Sequence, residues 1–309
     1  MAHDHSHHHH HHVSADAGDA RVAGAVAVNM ALTLAQIIGG ILSGSLALIA
    51  DALHNFSDAI ALVIALFARR IARRPADAGM SFGYGRAEVV AALVNYTTLV
   101  VLALYLIYEG VMRFFEPAPI DGWLVVWIAA LALAVDLVTA ALTYAMSHDS
   151  VNIRAAFLHN LADALGSVAV IVAGTVVILK GWTWVDPLVT LMIAGYILWH
   201  VKAEIGEVIR VLMLASPPAL EAEEVAGAIE AVDGVEEVHH VHLWAMQEHQ
   251  PALDAHLVIA RGDWGHADAV KAAVKAMLAE RFGIAHSTLE MECSWHACNG
   301  AARFGDGAA

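Results

Sequence analysis

The sequence predicts an all-α membrane domain of six transmembrane helices, followed by a small soluble α+β domain of order α-β-β-α-β. Three observations predict it. Hydrophobic residues make up 59% of the 309 positions and charged ones only 15%, and the mean hydropathy is +0.61, too apolar for an ordinary soluble protein. From Val22 to about residue 208 the apolar residues fall into runs long enough to cross roughly 30 Å of hydrocarbon. After Ser216-Pro217-Pro218 these give way to short alternating and amphipathic segments. Charge divides the same way. Asp and Glu number 31 against 16 Lys and Arg, a formal charge of −15, and fifteen of the acids but only five of the bases lie from Ser216 onward. An acidic soluble part excludes nucleic acid as a partner and favours cations.

The elements follow in order. Residues 1–20 form a tail whose opening MAHDHSHHHHHH holds eight of the 20 histidines. It reads as an expression tag or as a native tail that binds divalent metal loosely, and it lacks the basic-then-apolar pattern of a cleavable signal peptide. The first span runs from Val22 to Ser43 and turns at Ser43-Gly44-Ser45, where the Gly40/Gly44 spacing allows close helix packing. The second covers 46–68 and leads into a loop with Arg69, Arg70, Arg73, Arg74 and Pro75. The third, Arg86 to Phe115, ends where Pro117 and Pro119 break it. The fourth (123–146) carries Asp136, the fifth is 152–180 and the sixth 185–208. Six spans put both termini on one side of the bilayer. That side also holds Arg21, the arginine-rich loop, Arg154, Lys202 and Arg210, against only Arg113 and Lys180 opposite, so both termini are expected in the cytoplasm of a protein of the cell inner or plasma membrane. The soluble part is expected as a helix over 219–231, a hairpin of strands 235–246 and 252–260, a helix over 264–281 and a strand over 286–293. The resulting division is a tail 1–20, a transmembrane domain 21–211, a soluble domain 212–294 and a C-terminal tail 295–309.

Chemistry enters through two short stretches, His54-Asn55-Phe56-Ser57-Asp58 and His159-Asn160-Leu161-Ala162-Asp163. Each sets an imidazole and a carboxylate four residues apart, which on a helix stacks them on one face. Two such helices facing each other offer two nitrogen and two oxygen ligands, the set and number that Zn²⁺ prefers. A local His–Asp hydrogen bond is the plainer account of either pair alone. Ionisable groups inside hydrocarbon are costly and mark function by default, and with the predicted topology both pairs fall within several ångströms of the bilayer midplane, at ~1.5 Å per residue. A midplane site suits alternating access. Ligands must shed protons to bind metal, so protons and Zn²⁺ compete for it. Asp136 is either a proton relay or a buried hydrogen-bonding group. No glycine-rich nucleotide loop and no nucleophile–base pair indicates an enzyme. An uptake carrier or channel, or a membrane-tethered metal sensor or buffer, stays open as an alternative. In the soluble part Cys293 and Cys298, amid His and Glu, suit metal better than a disulfide framework.

Four segments together resemble the cation diffusion facilitator family of zinc transporters: ADALHNFSD (50–58), FGYGRAEVVAAL (82–93), HNLADALGS (159–167) and the VHHVHLW strand (238–244). The resemblance covers nearly everything from Arg21 to Cys293. It implies a homodimer in the lipid bilayer that exports Zn²⁺ from the cytoplasm in exchange for protons, with His54, Asp58, His159 and Asp163 as transport ligands; a Co²⁺ or Cd²⁺ efflux carrier of the same family is the alternative. It also implies a metallochaperone-like fold for the soluble domain, where a regulatory zinc is held by His239, His256 and Glu292, with Glu290 at a place that is His or Gln in many relatives. His240, His242, His249, His266, His286, Cys293, His296 and Cys298 are further candidates. Two departures stand out. Met80 and Tyr84 replace the histidines that some relatives carry between the second and third helices, leaving Asp77 alone, so no tight metal site is expected there. Some relatives pair a base at the position of Arg86 with an acid near the end of the sixth helix, but VLMLASPP (211–218) holds no charge.

Overall fold

A computed structural model describes residues 15–146, 151–247, 250–260, 264–298 and 300–305, with side chains from Asn29 onward except at 143, 145, 146, 151–153, 155 and 156. The His-rich stretch 1–12 and His249 lie outside the described residues. Six long helices come first: α1 (Ala15–Ser43), α2 (Leu46–Ala72), α3 (Ala87–Phe115), α4 (Gly122–Met146), α5 (Val151–Lys180) and α6 (Val185–Leu212). Among the described residues five of them, α2 to α6, are long and apolar enough to cross a membrane, and α1 contributes the shorter apolar stretch Asn29–Ser43. Leu42, Val101, Trp127 and Leu142 are all exposed. Exposed apolar side chains on helices of that length suit a lipid environment, and the chain is a multi-pass membrane protein.

The chain forms two compact units, one from residues 1–62 and 98–200, the other from 63–97 and 201–309. In the first, α4 packs against α5 and α1. Small residues permit close approach: between α4 and α5 a Cβ on Gly122 would sit 2.7 Å from the Gly174 carbonyl oxygen, and between α1 and α2 one on Gly40 would sit 2.5 Å from Ile49 Cγ1. Gly44 has a different task from Gly40. Its φ of +72° makes the α1–α2 turn, a conformation that side chains rarely accept. Two carboxylates then start helices by accepting orphan backbone N–H groups. Asp121 Oδ1 accepts from Trp123 N (3.1 Å) and Leu124 N (3.2 Å) to open α4. Asp186, buried near the start of α6, accepts from Leu46 N at 2.8 Å and from the Ser45 hydroxyl to open α2.

The second unit contains the soluble module: α7 (Ala222–Glu230), β1 (Val235–Gln247), β2 (Gln250–Ile259), a 3₁₀ turn (Trp264–His266), α8 (Ala267–Phe282) and β3 (His286–Cys293). The expected order is present, with trimmed helix starts. A turn in which Leu220 N donates to Pro217 O precedes α7, and the 3₁₀ turn precedes α8. Gly283, at φ +67°, ends α8 as its left-handed cap. The sheet order is β1-β2-β3, with β1 antiparallel and β3 parallel to the central β2. Val225, Ile229, Leu253, Leu257, Val274 and Leu278 fill the core between sheet and helices. The register of β1 slips between His239 and His242, where His240 takes a φ of +48°. This bulge re-aims the side chains at the site described next.

Candidate functional site

In the first unit His54 and Asp58 on α2 meet His159 and Asp163 on α5. His54 Nε2 lies 3.7 Å from Asp58 Oδ2 and 3.6 Å from Asp163 Oδ1. His159 Nε2 lies 3.3 Å from Asp58 Oδ2 and 3.5 Å from Asp163 Oδ2. The donors therefore alternate N, O, N, O around a ring. For a tetrahedral ion with ~2.0 Å bonds, the ligand–ligand edge is about 3.3 Å; the four nitrogen–oxygen spacings sit at or slightly above it, and His54, Asp58 and Asp163 offer ligand atoms that all lie within 4.8 Å of one another, a group to which His159 does not belong. Three buried atoms of the ring residues, His54 Nδ1, Asp58 Oδ2 and Asp163 Oδ1, have no hydrogen-bond partner. Buried polar atoms seldom stay unpaired; a cation is the missing partner that the two carboxylate oxygens fit, whereas His54 Nδ1 is the ring nitrogen opposite the one that faces the aspartates. His159 is the most open of the four, and it lines a cavity of about 600 Å³ with Asn29, Asn55, Asp58, Asp136 and Asp163.

A second set of polar groups, which the sequence reading touched only at Asp136, lies in the same unit. Gln36 Nε2 donates to Asp51 Oδ2 at 2.8 Å, and Ser167 Oγ stands 3.1 Å from Asp136 Oδ2 and 3.5 Å from Asp51 Oδ2. Asp136 is buried and accepts from Ser167 of α5. The signal that could have found Asp51 was present: it is an acid in an apolar run three residues before His54. Tyr196 adds a wall that spacing could not reveal, its ring meeting that of His54 edge-on at 6.4 Å.

In the second unit one ligand candidate comes from each strand. His239 (β1) and His256 (β2) are cross-strand partners, and Glu292 (β3) is in register with Val258, two residues on from His256. His239 Nε2 lies 3.3 Å from Glu292 Oε2, and His256 Nδ1 lies 2.7 Å from Glu292 Oε1. Cys298 joins this trio, all four offering a ligand atom within 4.8 Å of one another. Burial pushes the Glu292 carboxyl up, but hydrogen bonds with His256 and from Cys298 outweigh it and hold it below the usual range. The same carboxylate pushes the Cys298 thiol up. His239 is 1% exposed, yet neither ring nitrogen has a hydrogen-bond partner.

The other candidates are scattered around this trio. Glu290 Oε2 reaches His256 Nε2 at 3.4 Å. His240 packs its ring against both His239 and His256, while its Nδ1 is 2.9 Å from Gly305 O. His242 pairs with Asp254 further along the hairpin. His266 and His286 are exposed at element ends. Cys293 Sγ stands 3.2 Å from His296 Nδ1, a contact that lowers the thiol from its ordinary value. Asp77 organises its own loop, accepting from Gly79 N (2.8 Å), Met80 N (3.0 Å) and the Tyr84 hydroxyl (2.7 Å). Arg86 finds backbone partners in place of an acid, donating to Met246 O at 3.0 Å and Ala245 O at 3.3 Å.

Comparison with known proteins matches residues 22–213 to the cation efflux transmembrane domain and residues 217–293 to the cation efflux protein cytoplasmic domain. The zinc transporter ZitB of Pectobacterium atrosepticum is 34% identical over 96% of this chain and 93% of its own. The metal cation efflux system protein CzcD of Cupriavidus metallidurans is 34% identical over 87% and 84%. The cadmium, cobalt and zinc/H⁺-K⁺ antiporter of Bacillus subtilis is 33% identical over 84% and 85%. Among solved structures, the metal-bound C-terminal domain of the Cupriavidus CzcD transporter is 32% identical, covering 24% of this chain and 99% of its own, with a TM-score of 0.22. With both of its parts matched in order and its relatives matched over most of their length, the chain belongs to the cation efflux family, the cation diffusion facilitators.

Proposed function

We propose that this protein exports Zn²⁺ from the cytoplasm across the inner membrane in exchange for protons, carrying the ion through His54, Asp58, His159 and Asp163 by alternating access. The observation that carries this reading is the ring of alternating nitrogen and oxygen donors, with edges of 3.3–3.7 Å, formed by α2 and α5. The donor set explains the coupling. Two ionised aspartates neutralise one Zn²⁺, and an emptied site re-neutralises itself by taking up protons, because residual charge in hydrocarbon is costly. Metal arriving from the cytoplasm expels those protons, and protons arriving from the other side expel the metal.

The soluble trio of His239, His256 and Glu292, on this reading, holds a resident regulatory ion that ties two protomers into a homodimer, with both termini cytoplasmic. His240, His242 and Glu290 flank that centre. The orphaned ring nitrogens of the buried His239 support a metal there. Two imidazoles and two carboxylates also suit Co²⁺ and, less well, Cd²⁺, and the relative from Bacillus subtilis bears cadmium and cobalt beside zinc in its name. Zinc uptake into sealed inside-out vesicles tests the proposal. An interior acidified relative to the bath should accelerate uptake severalfold, and collapsing the gradient should remove that acceleration. Uptake indifferent to the gradient would overturn proton exchange. No uptake in either condition would overturn transport itself.

A further inference from the structure

The soluble trio supplies three ligands, and each sits on a strand that the core already fixes. A resident zinc site is closed by a fourth protein ligand, commonly a thiolate. Beyond β3 the chain turns through residues 294–297 and comes back across the site. Cys298 N donates to Glu292 Oε2 at 3.1 Å, and Cys298 Sγ is 3.5 Å from Glu292 Oε1. That sulfur–oxygen spacing is close to the edge expected between two ligands of one tetrahedral ion.

The return is anchored on β1, at the bulge that carries His239. His240 N donates to Ala302 O (3.0 Å), Val241 N donates to Arg303 O (2.9 Å), and Gly305 N donates back to Val241 O (3.3 Å). The Arg303 guanidinium grips both carboxylate oxygens of Glu230 on α7, at 3.0 and 3.1 Å. The segment therefore lies against the sheet on the residue next to a ligand, and its cysteine stands at the open corner of the trio.

We infer that the C-terminal segment is a strap that delivers Cys298 as the fourth, thiolate ligand to His239, His256 and Glu292, making a closed site for a thiophilic divalent ion. The inference rests on the reading that the trio binds metal, and extends it in two ways. Glu292 and Cys298 together carry the two negative charges that neutralise the ion, so the trio alone leaves it half compensated. A thiolate also shifts preference toward Cd²⁺ and Zn²⁺ and away from Mn²⁺ and Mg²⁺. Metal capture and docking of the strap become one equilibrium, in which each stabilises the other by the same free energy.

The chain contains two cysteines, which makes the test direct. The purified full-length protein is titrated with Co²⁺ and its near-ultraviolet thiolate-to-cobalt charge-transfer absorption is recorded. That band should appear in the wild type and in Cys293→Ser, and vanish in Cys298→Ser and His239→Ala. Hydrogen exchange of residues 300–305 should slow on adding Zn²⁺ to the wild type and stay unchanged in Cys298→Ser. Visible cobalt absorption that depends on His239 without a thiolate band would overturn the strap and leave the trio standing. A band that survives Cys298→Ser but is lost in Cys293→Ser would overturn it in favour of the other cysteine. Absence of any cobalt signal dependent on His239 would overturn the trio and the strap together.

Discussion

Asp58 touches both imidazoles of the membrane quartet, at 3.7 Å from His54 and 3.3 Å from His159, so its loss opens two edges of the ring at once. Asp163 does the same from α5, at 3.6 and 3.5 Å. Replacing either by alanine leaves three ligands and one negative charge to offset the dehydration of a divalent ion. Asp58→Ala and Asp163→Ala are expected to cut zinc flux in vesicles to background while the protein purifies as a folded species. Near wild-type flux in either would remove the quartet from the transport path. These four residues were legible in the sequence because helical geometry alone stacks i and i+4, and because the motif occurs twice in apolar runs. The partners of Asp51 and Asp136 were not. Gln36, Ser167 and these two aspartates come from four different helices, and no local spacing joins them.

The start of α2 shows the same boundary at the scale of an element. Its turn was readable from Ser43-Gly44-Ser45, and the glycine does adopt the left-handed conformation such a turn needs. Its local cap belongs to the same turn, Ser45 Oγ accepting from Leu48 N at 3.1 Å, but the carboxylate that completes it was not readable, because Asp186 lies 140 residues away on α6. There it accepts from the Leu46 amide and the Ser45 hydroxyl, while Arg113 Nη1 donates to Gly44 O at 3.0 Å. Removing a capping side chain costs about 0.5–2 kcal/mol, and the burial of Asp186 places its loss toward the upper end. Asp186→Ala should therefore lower the unfolding temperature of the detergent-purified protein by several degrees. Asp186→Asn, which keeps an acceptor oxygen, should recover most of the difference. Equal unfolding temperatures for Asp186→Ala and the wild type would show that this contact does not hold α2 in place. The soluble elements were legible for a different reason. Alternation with a period of two marks strands without knowledge of their partners, whereas the parallel pairing of β3 with β2 depends on the crossover through α8.

At the scale of the whole molecule, the two candidate centres differ in what surrounds them. The quartet belongs to the unit of residues 1–62 and 98–200, the trio and its cysteine to that of 63–97 and 201–309, and they share no side chain. The quartet opens on a cavity through His159, as an ion in transit requires. The trio is organised around a histidine that is almost fully buried, as an ion in residence requires. Sites without shared partners make additive contributions, so their losses should be separable. The measurement is bound zinc per chain in protein lacking residues 3–12, which removes the histidine-rich tail from the count. Asp58→Ala with Asp163→Ala should lose one equivalent and all flux, yet keep the thiolate–cobalt absorption of the soluble centre. His239→Ala with His256→Ala should lose the other equivalent and that absorption, yet retain measurable flux, because the proposed transport ligands on α2 and α5 are all left in place. If the sheet variant loses flux as completely as the quartet variant while still folding, the soluble centre is a stage of the transport path and its assignment as a resident site is wrong.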